Sequence, residues 1–170
     1  GFDAVSLPYQ GGEADMVVVL PDEGAFDAFV SNMDADTLTG LMPEEGATVG
    51  PVNLTMPTFE FRARLDAKAA LMAQGLERPF DANQAEFGAM TPKAQEDRLH
   101  ITDVLHEVFI AVDEDGTEAA AATAVVMSAT SAEMNPPEPF VFTADRPFVF
   151  VIRHTPTNTP LFVGHVTHPK

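Results

Sequence analysis

Residues 113–126 read "DEDGTEAAAATAVV". Ala119 to Ala122 are four consecutive residues of the strongest helix former. Yet Gly116 stands just before them, and "AVVMSATSAEMNPPEP" follows, first β-branched and then Pro-rich. Three readings are open: a short helix, a linker, or a segment built to change state. Composition favours the helix. Against it, an isolated helix below about 12–15 residues is marginal in water. Val125, Val126 and the Ser and Thr residues beyond them weaken it further.

The surroundings bound the answer. The 170 residues suffice for one ordinary domain, and 45% apolar content argues against wholesale disorder. There is no cysteine, which excludes disulfides and thiolate metal sites. Twenty-six acidic residues face nine basic ones, for a formal net charge of −17. Such a surface repels nucleic acid phosphates and anionic membranes, so neither is expected as a partner. It also suits a high-salt setting, where self-repulsion is screened. In so acidic a chain, pairs of carboxylates arise by chance and carry little information about a site. The first residues, "GFDAVSLPY", are strand-like at once, as if the chain began inside a fold.

The pattern of apolar residues predicts mixed elements. Phe2–Leu7 and Met16–Leu20 read as strands joined by the Gly-rich turn "PYQGGEAD", with "MVVVL" apolar on both faces. Ala25–Met33 has helical spacing, and Asp34 or Asp36 is placed to cap a second short helix through Leu41. Val49–Arg64 reads extended, interrupted at Pro57. Asp66 is placed as the cap of "AKAALMAQ" and Gly75 as its stop. Leu76–Asp97 reads as an irregular connection, and Ile101–Val112 as a long strand with Val104, His106, Val108, Ile110 and Val112 on one face. Beyond the alanine segment, "PFVFTADRPFVFVIRHTPTNTPLFVGHV" gives strand, turn, strand, turn, strand, with "PFVFVI" and "PLFVGHV" expected as a buried hairpin. The fold class is α+β.

Several of these stretches, in this order, resemble the serpins. "VDEDGTEAAAATAVVM" is similar to the hinge of the reactive loop in inhibitory members. "LPYQGGEADMVVVLPDEG", "LHEVFIAVDEDGTEAAAAT", "FTADRPFVFVIRHTPTNTPLFVGHVTHP" and "FGAM" are serpin-like as well. The resemblance spans essentially residues 1–170 and corresponds to the C-terminal part of a single serpin domain, in an inhibitory member of prokaryotic type. It implies that an N-terminal half is absent, with the strand forming the other wall of the insertion gap. It also implies a serpin fold with an exposed reactive loop at about residues 114–138. The implied activity is inhibition of serine proteases by a suicide-substrate route. The loop is cleaved, inserts as a strand into the large sheet and traps the acyl-enzyme. The implied partner is a serine protease held covalently; no cofactor or metal is implied, and the full-length protein is expected to be a secreted, extracellular monomer.

Site residues follow from the same resemblance. The hinge comprises Glu114, Gly116, Thr117, Ala119, Ala120, Ala121, Ala122 and Thr123. Counting seventeen residues from the hinge acid Glu114 puts the reactive bond at Thr130–Ser131. The stretch from there to Pro147 is several residues longer than usual in the family, so Met127 or Met134 stand as alternatives before the cut. Ser128, Ala129 and Thr130 are small and suit elastase-like or subtilisin-like proteases, not trypsin. His106 matches a strand histidine used in a cluster controlling sheet opening. Glu114 has no matching lysine, since Thr58 stands near the place of its usual partner.

The residues themselves fit the task of insertion. Period two puts Thr117, Ala119, Ala121, Thr123, Val125 and Met127 on one face, without charge. Glu118, Ala120, Ala122, Ala124, Val126 and Ser128 lie on the other. No proline occurs between Asp113 and Asn135, so no ladder donor is missing there. Seventeen residues at roughly 3.3 Å each make about 55 Å of strand, against a diameter on the order of 50 Å for a compact domain of serpin size. Two other functions compete: a non-inhibitory serpin acting as a binding or chaperone-like protein, and an inactive half-length fragment. A non-inhibitory hinge is expected to carry bulky, charged or proline residues; Thr117 and the four alanines Ala119–Ala122 argue against that. An enzyme is not expected. There is no Gly-x-Ser-x-Gly elbow, phosphate loop or His-Glu-x-x-His, and "DEDG" lacks the remaining ligands of a calcium loop.

Overall fold

The computed structural model describes residues 1–43, 50–91, 93, 96–113 and 138–169. They fall into two compact units, Gly1–Phe59 with Ala111–Lys170, and Glu60–Ile110.

The first unit is built on strands β1 (Phe2–Pro8), β2 (Ala14–Pro21), β7 (Phe148–His154) and β8 (Thr159–Val166), hydrogen-bonded in the order β1-β2-β7-β8. All three pairings are antiparallel. The turn between β1 and β2 closes through Tyr9 N–H to Ala14 C=O at 2.9 Å, with Gly11 and Gly12 at φ 94° and 73°. Only glycine adopts two such values in succession at little cost. Residues 16–21 of β2 are buried on both faces, as the unbroken apolar run predicts.

Two short helices cover one face: α1 (Phe26–Ser31) and α2 (Ala35–Gly40). Phe26, Phe29, Val30, Met33 and Leu38 pack on a buried cluster of Val17, Val19, Leu41, Met42, Val149 and Val151. Val17, Val19, Val149 and Val151 are odd-numbered residues of the central strands, consistent with period two, and Leu41 and Met42 join them from the end of α2. Helix α1 ends earlier than its apolar stripe, because the Asn32 side chain donates to the Ala28 carbonyl at 2.7 Å and closes the last turn. Asp34, not Asp36, caps α2, accepting from the Thr37 N–H at 2.8 Å.

The opposite, even-numbered face of β7 carries aromatic packing. Phe59 lies against Phe148 and Phe150, with ring centroids 6.0 and 5.5 Å apart. Phe150 stands directly across from Gly164 on β8. A Cβ at Gly164 would fall inside that ring, with Phe150 Cε1 at 2.8 Å. Glycine is needed here for space. Gly164→Ala in the full-length protein is therefore expected to cost about 1–3 kcal/mol by overpacking. Thermal unfolding checks this, and Phe150→Leu in the same chain is expected to recover part of the loss.

The hairpin of β7 and β8 forms as expected, but its burial is one-sided. Phe148–Val151 are fully buried, whereas Leu161, Phe162 and Val163 are exposed. Among the described residues β8 has one strand neighbour, β7, and lies at the sheet edge. Apolar composition alone cannot tell an edge strand from a central one.

The extended reading is interrupted at Pro57 as expected, and the strands on its two sides enter different sheets. Strand β3 (Val52–Thr55) pairs in parallel with β6 (Phe140–Thr143), while β4 (Phe59–Asp66) pairs with β5 (Leu105–Val112). The second unit holds most of the β4–β5 sheet and α3 (Ala67–Ala73), capped by Asp66 at the Lys68 N–H at 3.0 Å and stopped before Gly75 at φ 93°. Strand β5 begins four residues later than its apolar pattern, because residues 101–104 spend their backbone groups elsewhere. Ile101 N–H donates to Pro79 C=O at 2.8 Å, Lys68 Nζ donates to Thr102 C=O at 2.8 Å, and Val104 C=O accepts from Ala67 N–H at 3.0 Å.

Candidate functional site

The stretch 114–137 leaves the end of β5 and returns just before β6. Its two ends belong to different sheets, since β5 pairs with β4 and β6 with β3. The hinge residues Glu114, Gly116, Thr117, Ala119, Ala120, Ala121, Ala122 and Thr123 lie outside the described residues. So do Met127, Thr130, Ser131 and Met134.

The strand leading into this stretch is described and has two distinct faces. Ile110 and Val112 are buried, and Val104 and Val108 are half-buried, on the even-numbered side. The odd-numbered side is exposed: Leu105, Glu107 and Phe109. There Glu107 accepts from Arg64 Nε at 3.3 Å and lies 3.9 Å from Arg62 Nη1, while the Arg62 guanidinium rests over the Phe109 ring at 4.6 Å. Exposed pairs of this kind add little stability, but they keep charge on the outer face and apolar residues on the inner one. His106 sits on the even-numbered side and is exposed, with no hydrogen bond to another described residue. Thr58 is exposed as well and offers no cation. Among the described residues no group of His, Asp or Glu is arranged to hold a metal ion.

On the far side of the stretch, β6 is anchored by its neighbour. Phe140 N–H donates to Pro51 C=O at 2.9 Å and Ala144 N–H to Thr55 C=O at 2.8 Å, so the ladder with β3 is closed at both ends. Phe142 is fully buried between them.

One charged group inside the first unit escaped sequence reasoning. Asp15 and Arg153 are directly paired across β2 and β7. Arg153 Nε donates to Asp15 Oδ1 at 2.7 Å and Nη2 to Oδ2 at 2.9 Å, a bidentate geometry. Ser6 Oγ donates to the same carboxylate, and Arg153 Nη1 reaches Asn158 Oδ1 and the Pro43 carbonyl. Both side chains are about nine-tenths buried or more, at 5% and 10% exposed. Burial by itself raises the Asp15 pKa. The hydrogen bonds from Arg153 and Ser6 and the Arg153 charge outweigh it, and the net shift is downward. The signal was present in outline: Asp15 immediately precedes the apolar run Met16–Leu20 and Arg153 immediately follows the apolar run Phe148–Ile152, where a charge needs a partner.

The sign of that shift sets an acid response. A carboxylate with a folded-state pKa below its unfolded value contributes stability fully above the unfolded value, about 3.9. That contribution is lost as pH falls through the lowered folded-state value. The denaturation midpoint of the full-length protein is expected to drop more steeply below about pH 4 than that of Asp15→Asn. Denaturant titrations across the acid range check it; identical slopes would remove Asp15 from the account.

The comparisons with known proteins point one way. The family model for serpins (serine protease inhibitors) matches residues 1–169. An uncharacterized serpin-like protein of Thermococcus kodakarensis is 36% identical over 167 residues, covering 98% of this chain and 37% of that protein. Leukocyte elastase inhibitor A of Rattus norvegicus is 34% identical over 170 residues, covering 97% of this chain and 43% of the inhibitor. The crystal structure of a thermophilic serpin, tengpin, in its native state superposes with a TM-score of 0.73 at 28% identity, over 98% of this chain and 42% of tengpin. The chain thus spans about two fifths of the length of the curated relatives it matches. With a match along nearly its whole length and the same mixed sheets and short helices, this chain belongs to the serpin family.

Proposed function

We propose that the full-length protein containing this chain inhibits a serine protease as a suicide substrate. The observation that carries the reading is the stretch between β5 and β6. It is free of proline through Asn135, small at Thr117 and Ala119–Thr123, and uncharged on its odd-numbered strand face from Thr117 to Met127. Such a segment enters a sheet without a missing donor, a steric block or a buried charge. Cleavage frees one end while β5 keeps the other in place, and insertion extends β5 into a new strand beside it. The acyl-enzyme then travels with the cleaved end over about 55 Å.

Thr130–Ser131 is the proposed reactive bond, with Met127 and Met134 as the alternatives before the cut. Ser128, Ala129 and Thr130 fit a shallow specificity pocket. That chemistry, and the likeness to a leukocyte elastase inhibitor, support an elastase-like or subtilisin-like target. Proteases of that kind act outside cells, which supports an extracellular site of action. No catalytic role is assigned to any residue of the chain.

The test is a set of incubations of the full-length protein with elastase-like, subtilisin-like and trypsin-like proteases. A complex that survives denaturant is expected with the first two. The C-terminal fragment released from it on denaturation is expected to begin at Ser131. Degradation of the protein with no covalent complex in any of the three would sink the inhibitor reading and favour a binding role.

A further inference from the structure

Positive charge is scarce in this chain, and its use in the second unit is uneven. Arg62 and Arg64 are spent on Glu107, and Lys68 on the Thr102 carbonyl and the Phe80 ring. Arg78 and Arg98 differ: they line one cleft of about 540 Å³, with Asn83, Gln84 and Glu86. Glu86 is the one carboxylate among the described lining residues, and it is already held by Arg78 Nη2 at 2.7 Å. Arg98 has no ion pair with any described residue. Asp81 beside the cleft accepts from Gln84 Nε2 and the Asn83 N–H, both at 2.7 Å. Among the described residues the cleft therefore carries two guanidinium groups, of which only that of Arg78 is in an ion pair.

The backbone at Arg98 adds an independent observation. Its φ is 48°, the left-handed region, which an L-residue with a long side chain occupies at a cost of roughly 1–2 kcal/mol. The His100 ring contributes to holding it there, with Nδ1 2.8 Å from the Arg98 carbonyl. Glycine or asparagine would meet the same backbone demand at lower cost. An arginine kept in that conformation points to a use for its side chain. Planar guanidinium forks match oxyanions bidentately.

We infer that the Arg78–Arg98 cleft binds a phosphoryl or similar tetrahedral oxyanion, with Arg98 as the principal donor, Arg78 as the second cation, and the Asn83 side chain as a neutral donor. This does not rest on the protease-inhibitor reading. A free phosphate ion and a phosphorylated side chain share the chemistry, and the cleft is open to either.

The experiment is a calorimetric titration of the full-length protein with inorganic phosphate at constant ionic strength, repeated with a short phosphoserine peptide. Saturable binding with a dissociation constant on the order of 1 mM is expected for phosphate, as befits an exposed two-arginine site. Tighter binding of the peptide would place the natural phosphoryl group on a protein; equal binding would leave it as the free ion. Arg98→Gly, which relieves the left-handed strain, is expected to keep or raise the melting temperature while weakening binding at least about tenfold. Arg64→Gln, outside the cleft, is expected to bind as the parent does. Absence of saturable binding, or an Arg98→Gly protein that binds phosphate as tightly as the parent, overturns the inference.

Discussion

Ala121→Arg in the full-length protein is expected to turn the inhibitor into a substrate. Ala121 belongs to the strand face that bears no charge from Thr117 to Met127, the face suited to the core side of a sheet. Insertion would bury a guanidinium with no partner, at a cost of several kcal/mol. Each 1.4 kcal/mol shifts the partition between trapping and release by about tenfold. The protease would then complete hydrolysis before the loop is seated. The expected result is loss of the covalent complex, with a stoichiometry of inhibition raised by at least about tenfold. Ala120→Arg, one residue away on the face that already carries Glu118, is expected to retain the complex, because its side chain remains in water. Gel densitometry of complex against cleaved protein reads both variants. Equal loss in the two would mean that the segment has no solvent-facing side, and full retention in Ala121→Arg would sink insertion as the mechanism.

Arg153→Ala is expected to destabilise the folded protein by about 3–5 kcal/mol, the range for breaking a buried ion pair. The loss is larger than that of the attraction itself, since it strands the Asp15 carboxylate between β2 and β7 with only the Ser6 hydroxyl as donor. Asn158 and the Pro43 carbonyl lose their donor too. Replacing both members, Asp15→Leu with Arg153→Met, is expected to recover most of the stability, because no charge then remains buried. Denaturation midpoints of the single and double variants separate a stranded charge from simple loss of packing. A double variant no better than Arg153→Ala would refute the first explanation.

Local chemistry made much of the architecture legible. The cap at Asp66, the stop at Gly75, the break at Pro57 and a cap at Asp34 or Asp36 all depend on backbone geometry within a few residues, and the Thr37 N–H selects Asp34. The alternation in β5 was also readable, since Ile110 and Val112 face inward where period two puts them. The start of that strand was not. Whether Ile101 to Val104 join a ladder depends on competing partners at Pro79, Ala67 and Lys68, which approach only in three dimensions. The burial of β8 was misjudged for a related reason: an apolar strand is buried only if something covers it, and Leu161 to Val163 are exposed in this chain.

The candidate site divides in the same way. Absent proline over 113–135, small residues at Ala119–Thr123 and an uncharged face from Thr117 to Met127 need no coordinates, and they carry the functional reading. Which charges matter does need coordinates. In a chain with 26 acidic residues no composition argument singles out Asp15. The register of β2 on β7 does, by setting it against Arg153 away from water, 138 positions along the chain. Likewise Arg98 is one arginine among six until its left-handed backbone and its place beside Arg78 are known. By itself the sequence determined the kind and order of most elements, the Asp66 cap and the proline-free run 113–135, because those depend on short-range sterics and hydrogen bonding. Only the tertiary structure decided which apolar strands are covered and which charges lose their water, because burial is a property of neighbours remote in the chain.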